Sequence, residues 1–127
     1  MSRHIMDENS DSESYNQLAT RLSIKKVGKN FLVKGVSDEQ ILAALHRLRA
    51  TFHSQDKHFA NPDWRHPRYC LIYYNVPRAK LADYVLRLLR PPFFRTHAKR
   101  LGKVIHVTPE QIKVWTYHGE EPQIYAW

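Results

Sequence analysis

Apolar positions along this chain change period several times, and each change marks an element. Ile41, Leu45, Leu48 and Phe52 recur at the spacing of one helical face, and Ser37 with Gln40 three residues later forms a capping box, which predicts a helix over 38–52. A second helix is predicted over 77–90. Pro77 suits a first turn, Leu81, Tyr84, Val85 and Leu88 repeat with helical period, and Pro91-Pro92 stop it. Between the helices, "RYCLIYYN" (68–75) is aromatic and β-branched with no internal turn residue, so it reads as a central strand.

On the amino-terminal side, "LSIKKV" and "FLVKGV" flank the turn triplet "GKN", a hairpin pattern over 22–27 and 31–36. Past the second helix, "FFRTHAKRLGK" (93–103) reads as a loop or single turn. "KVIHV", "IKVWTYH" and "QIYAW", separated by "TPEQ" and "GEEP", then form a hairpin or a three-stranded meander. "TPEQ" is also a capping box, so a short helix there is the alternative. The order is ββαβαββ, with room for a further C-terminal strand. That is an α+β fold: a mainly antiparallel sheet with two amphipathic helices on one face.

Residues 1–17 show none of this periodicity. They are polar, acidic and serine-rich, which predicts a disordered acidic tail ahead of a single domain over 18–127. "DENSDSE" does set Asp7, Asn9 and Asp11 at the first three ligand spacings of an EF-hand loop. Ser12 replaces the required glycine and Leu18 stands where the bidentate glutamate belongs, so that loop is excluded.

Charge sharpens the picture. The 127 residues carry 20 Lys+Arg against 12 Asp+Glu, a net +8. Residues 1–14 hold one arginine and four acids, net −3, so the rest of the chain carries +11. A field of that sign attracts polyanions. Cys70 is the sole cysteine, which rules out an intramolecular disulfide and points to a reducing compartment, cytoplasmic or nuclear. No apolar run approaches the ~18 residues that span a bilayer, so no membrane partner is expected.

Basic and aromatic residues interleave in "DWRHPRY", "FFRTHAKRLGK" and "KVWTYH", the combination that meets phosphates and stacks on bases. Strand alternation puts Ile112 and Val114 on one face of the last hairpin and Lys113, Trp115 and Tyr117 on the other. The expected contacts with nucleic acid are Lys25, Lys26, Lys29, Trp64, Arg65, Arg68, Arg95, Lys99, Arg100, Lys103, Trp115 and Tyr117. The same surface composition suits a protein–protein module, such as an inhibitor or accessory protein of phage or viral type.

Catalytic signals are sparse. His53, His58, His66 and Cys70, with Asp63 as a substitute, are the only grouped nitrogen and sulfur ligands, and their spacing matches no standard zinc site, so neither metal nor cofactor is expected. His97, His106 and His118 with Arg95 or Lys103 would suffice for a metal-independent nuclease, the third reading. The first expectation is therefore a regulatory protein that binds RNA or single-stranded DNA without catalysis. Its oligomeric state is not set by the sequence.

Overall fold

In the computed structural model, which describes residues 3–127, the chain runs β1 (His4–Met6), α1 (Ser12–Ala19), β2 (Ile24–Lys26), α2 (Asp38–Leu48), β3 (Thr51–Ser54), β4 (Cys70–Tyr74), α3 (Leu81–Leu89), α4 (His97–Arg100), β5 (Val104–Val107), β6 (Gln111–Trp115) and β7 (Gln123–Ala126). Short 3-10 turns at Lys57–Ala60, Pro62–Trp64 and Arg78–Lys80 fill the β3–β4 and β4–α3 connections. The strands form one sheet in the order β2-β1-β3-β4-β5-β6-β7. Neighbours are parallel from β2 through β5, and β6 and β7 add antiparallel at one edge.

Both faces of the sheet are covered. On one, Met6, Ile72 and Ile105 pack against Tyr15 and Leu18 of α1 and Leu81, Val85 and Leu88 of α3. On the other, Ile5, Phe52, Leu71 and Val104 meet Ile41 and Leu45 of α2 and Phe59 of the first 3-10 turn. Alternate residues of one strand thus feed opposite cores, which is why "CLIYY" and "VIHV" are apolar without a break.

The expectation of a mainly antiparallel sheet with helices on one face is corrected to a mixed, mostly parallel sheet layered on both faces. Two short strands account for most of the error. His4–Met6 lies in the stretch expected to be a disordered tail, yet Ile5 and Met6 are fully buried and the strand pairs with both β2 and β3. Residues 12–17 of the same stretch belong to α1, whose N-cap Asp11 accepts from the Ser14 amide. Only residues 1 and 2 of the expected tail lie outside the described residues.

The second strand is Thr51–Ser54, expected as the end of a helix. Arg49 takes a left-handed conformation at φ 54° and closes α2 there, releasing Phe52 into the sheet. The capping box itself forms as expected, with Ser37 accepting from Gln40 N and Gln40 accepting from Ser37 N.

The hairpin over 22–36 is likewise replaced. β2 pairs in parallel with β1, and the opposite arm contributes only an isolated bridge between Val27 and Phe31. The strand at 70–74, the helix at 81–89 and the terminal β5-β6-β7 meander stand close to where periodicity set them, and "TPEQ" is a turn.

α1 and α3 share a face although β1→β2 and β4→β5 step in opposite directions across the sheet. The two crossovers therefore have opposite hands, against the usual uniform right-handed rule. The consequence is local: α1 and α3 lie side by side.

Candidate functional site: an acidic crevice at the carboxyl edge of the sheet

In an open parallel sheet, a crevice forms outside the carboxyl ends of the strands where the strand order turns back. Here that point falls between β1 and β3, since β2 lies on one side of β1 and every later strand on the other. β1 ends into Asp7 and β3 ends into Gln55 and Asp56, so sheet topology delivers two carboxylates to one place. A pocket of about 270 Å³ opens there, lined by Asp7, Asn9, Ser10, Gln55, Asp56 and Arg78.

Asp7 is the buried member, only 7% exposed. Its Oδ2 accepts from Ser54 Oγ at 2.7 Å and its Oδ1 from the Glu8 amide at 2.8 Å. Burial raises its pKa above 3.8, opposed by those two hydrogen bonds and reinforced by the charges of Asp56 and Asp38. A buried carboxyl in the field of two more carboxylates gains from a cation nearby.

Asp38 enters from the first turn of α2, and His58 links it to the β3 side. His58 Nδ1 stands 3.1 Å from Asp38 Oδ2 and 3.6 Å from Asp56 Oδ1. These three side chains are close enough together to hold one ion. The positions are braced: the Ser54 hydroxyl accepts from Asp56 N at 2.9 Å, and Gln55 Nε2 donates to the carbonyls of Tyr74 and Val76. Glu8 is turned away, accepting from Gly35 N at 3.0 Å.

Two further groups distinguish this crevice from an ordinary acidic surface. Ser10 is buried, lines the pocket, and its hydroxyl has no partner among the described residues. Arg78, on the lip, donates from one guanidinium nitrogen to the Asn9 carbonyl at 2.5 Å, leaving other N–H groups facing outward.

The residues expected from sequence lie elsewhere. Trp64, Arg65, Arg68, Arg95, Lys99, Arg100, Lys103, Trp115 and Tyr117 lie toward the amino edge of the parallel strands, opposite the crevice. Several have structural partners: Arg65 donates to the carbonyls of Thr116 and Gly119, Arg68 to His46 O and Arg95 to Arg90 O. Arg100 is 3% exposed and holds Thr51 Oγ1 and the carbonyls of Phe94 and Arg95. Trp64 and Trp115 are half-buried against the second core, while Tyr117 is exposed. Lys25, Lys26 and Lys29 sit on and after β2, and buried Lys26 donates to Ser10 O.

The histidine and cysteine set is dispersed. His53 and Cys70 are buried in the sheet, His66 packs on His46, and only His58 reaches the crevice. His97 begins α4, His106 donates to Ala60 O from β5, and His118 stands beside Tyr117 in the β6–β7 turn. In sequence, Asp7, Asp38 and Asp56 belong to no common motif. Their available signal was position, each standing at a strand or helix end: "HIMD", "SDEQ" and "TFHSQD".

No protein-family model, no curated protein and no solved structure matches this chain.

Proposed function

We propose that the protein is a nucleic-acid-binding phosphodiesterase that uses a divalent cation held by Asp38, Asp56 and His58 at the crevice where Asp7 is buried. The observation that carries this reading is the grouping of Asp38, Asp56 and His58, close enough together to hold one ion, beside the pocket that Asp56 shares with the buried Asp7 at the turning point of the sheet, in a body that otherwise carries a large positive charge. Two carboxylates and an imidazole suit a divalent ion such as Mn²⁺, and the orphaned Ser10 hydroxyl in the adjoining pocket fits a water of that ion.

Such an ion supplies charge at phosphorus and a bound water of lowered pKa. The chain's own residues do the rest. Ser54 and the Glu8 amide hold the Asp7 carboxylate ionised and oriented, and Arg78 offers its outward N–H groups to a phosphate oxygen. Water adds to phosphorus and the bond to one sugar oxygen breaks, leaving a phosphomonoester and a hydroxyl.

This reading keeps the sequence-based expectation of polyanion binding and replaces its non-catalytic role. The test is cleavage of end-labelled single-stranded RNA and DNA with Mn²⁺, Mg²⁺ or EDTA. Cleavage that needs the metal and disappears in Asp38→Asn and Asp56→Asn supports it. Binding without cleavage under every metal condition returns the protein to the regulatory binder.

A further inference from the structure

A groove of about 1030 Å³ runs between α1 and α3, lined among others by Arg21, Lys80, Arg87 and Arg90, with Asp83 the one acid. It exists because the two crossovers lie side by side on one face of the sheet. Its ends are informative. Lys80 and Pro77 stand at the carboxyl edge, beside the Arg78 that lines the acidic crevice. Arg21 follows the C-terminus of α1 and Arg90 that of α3, so the far end reaches the amino edge.

The cations of this groove are unspent. Among the described residues, no lysine or arginine lies within 4.0 Å of a carboxylate, the only ion pairs being those of His58. Arg87 is stacked instead, its guanidinium carbon 4.4 Å from the Trp127 ring centre and 5.3 Å from that of Tyr84. A guanidinium held by its flat faces keeps its N–H groups at the rim, where they can meet a phosphate. Displaced from the ring, the same residue exposes an aromatic plane for a base.

We infer that this groove is the track of a single-stranded polynucleotide, leading from the acidic crevice across α3 to the amino edge. The inference rests on the proposed phosphodiesterase reading for its direction, since it makes the groove the path of the strand whose scissile phosphate lies at the crevice. Charge complementarity selects the occupant: cations recur along the groove with one acid among them, as a regularly charged backbone requires. Gln17 and Thr20 supply neutral donors and acceptors between them. α3 is nine residues long, roughly 14 Å, so the track spans a few nucleotides rather than one.

The experiment compares the full chain with Arg87→Ala/Arg90→Ala and with the charge reversal Arg87→Glu. Fluorescently labelled 12-mers of single-stranded RNA, single-stranded DNA and duplex DNA are titrated in EDTA at several salt concentrations. Both arginines are exposed, so unchanged thermal unfolding of the variants is the folding control. The expected result is single-strand affinity at least tenfold lower in the double variant, a further fall in Arg87→Glu, and a salt slope reduced by about 1.4 for two lost phosphate contacts. RNA against DNA names the sugar.

Unchanged affinity and slope in both variants overturns the track, as does preference for the duplex or no binding of any oligonucleotide. The two readings separate cleanly. Metal-dependent cleavage with groove-independent binding removes the track and leaves the crevice. Groove-dependent binding with no cleavage in Mn²⁺ keeps the track and removes the phosphodiesterase.

Discussion

Ser54 donates its hydroxyl to Oδ2 of Asp7 at 2.7 Å, joining residues 47 positions apart in sequence across the ends of β1 and β3. That bond does two things at once. It satisfies a buried carboxylate and it holds the pKa of Asp7 down against burial. Ser54→Ala is expected to cost about 1–3 kcal/mol of stability, the range for leaving a buried acceptor unpaired. It also moves the acid limb of the metal-dependent rate to higher pH. Urea unfolding and a pH–rate profile check the two effects, and an unmoved acid limb would separate Asp7 from the chemistry.

Asp7→Asn carries an opposite sign for folding. The carboxyl of Asp7 titrates above 3.8 in the folded chain, chiefly because it is buried. The folded state then binds this proton more tightly than the unfolded state, so stability falls as pH rises from about 3.8 through the folded pKa and stays lowered above it. Asn removes that loss. At pH 7 without metal the variant is expected to unfold at a higher temperature than the wild type. Mn²⁺ then raises the wild-type midpoint by more than the variant's, because the variant lacks a negative charge beside the ion, and differential scanning calorimetry reads the difference directly.

A second titrating unit lies inside the sheet. His53 is fully buried, with Nδ1 2.8 Å from the Tyr74 hydroxyl and Nε2 3.0 Å from His4 Nδ1. Burial pushes the His4 pKa down to about 4 and that of His53 well below 6.5, and Arg100 adds to both. Both rings therefore fold neutral. As pH falls below 6.5 the unfolded chain takes up protons that the folded chain refuses, so stability drops progressively toward the folded pKa values. The expected slope between pH 6.5 and 5 approaches roughly 1.4 kcal/mol per pH unit for each histidine. Chemical denaturation across that window measures it, and His4→Gln flattens the curve.

Arg100 and Lys99 are neighbours in "HAKR" with different work to do. Arg100 is buried on three acceptors, whereas Lys99 is exposed. Arg100→Ala is expected to destabilise the fold by about 3 kcal/mol, because it leaves buried carbonyls without donors. Lys99→Ala is expected to leave unfolding unchanged. Equal effects on unfolding would show that Arg100 is not the brace its contacts describe.

What could be read in advance follows element length. α2, α3 and the β5-β6-β7 meander are long enough for a period to repeat, and their sequence spacing located them. β1 and β2 have three residues each, too few for any period, and β1 is central only because β2 and β3 flank it. Losing β1 also lost the parallel sheet, and with it the crevice. Topology alone brings Asp7 and Asp56 to one pocket and Asp38 to Asp56 and His58, since no local motif relates residues so far apart. The basic residues were visible as a composition, but composition does not distinguish Arg100, which braces the core, from Arg87, which lies along a groove.

The central claim is that Asp38, Asp56 and His58 hold a divalent cation beside Asp7, and calorimetric titration of the purified full chain with Mn²⁺ tests it most directly. One site per chain is expected in the wild type, lost in Asp38→Asn and in Asp56→Asn while both variants remain folded. Absence of a site in the wild type, or an identical isotherm in the two variants, would contradict the account.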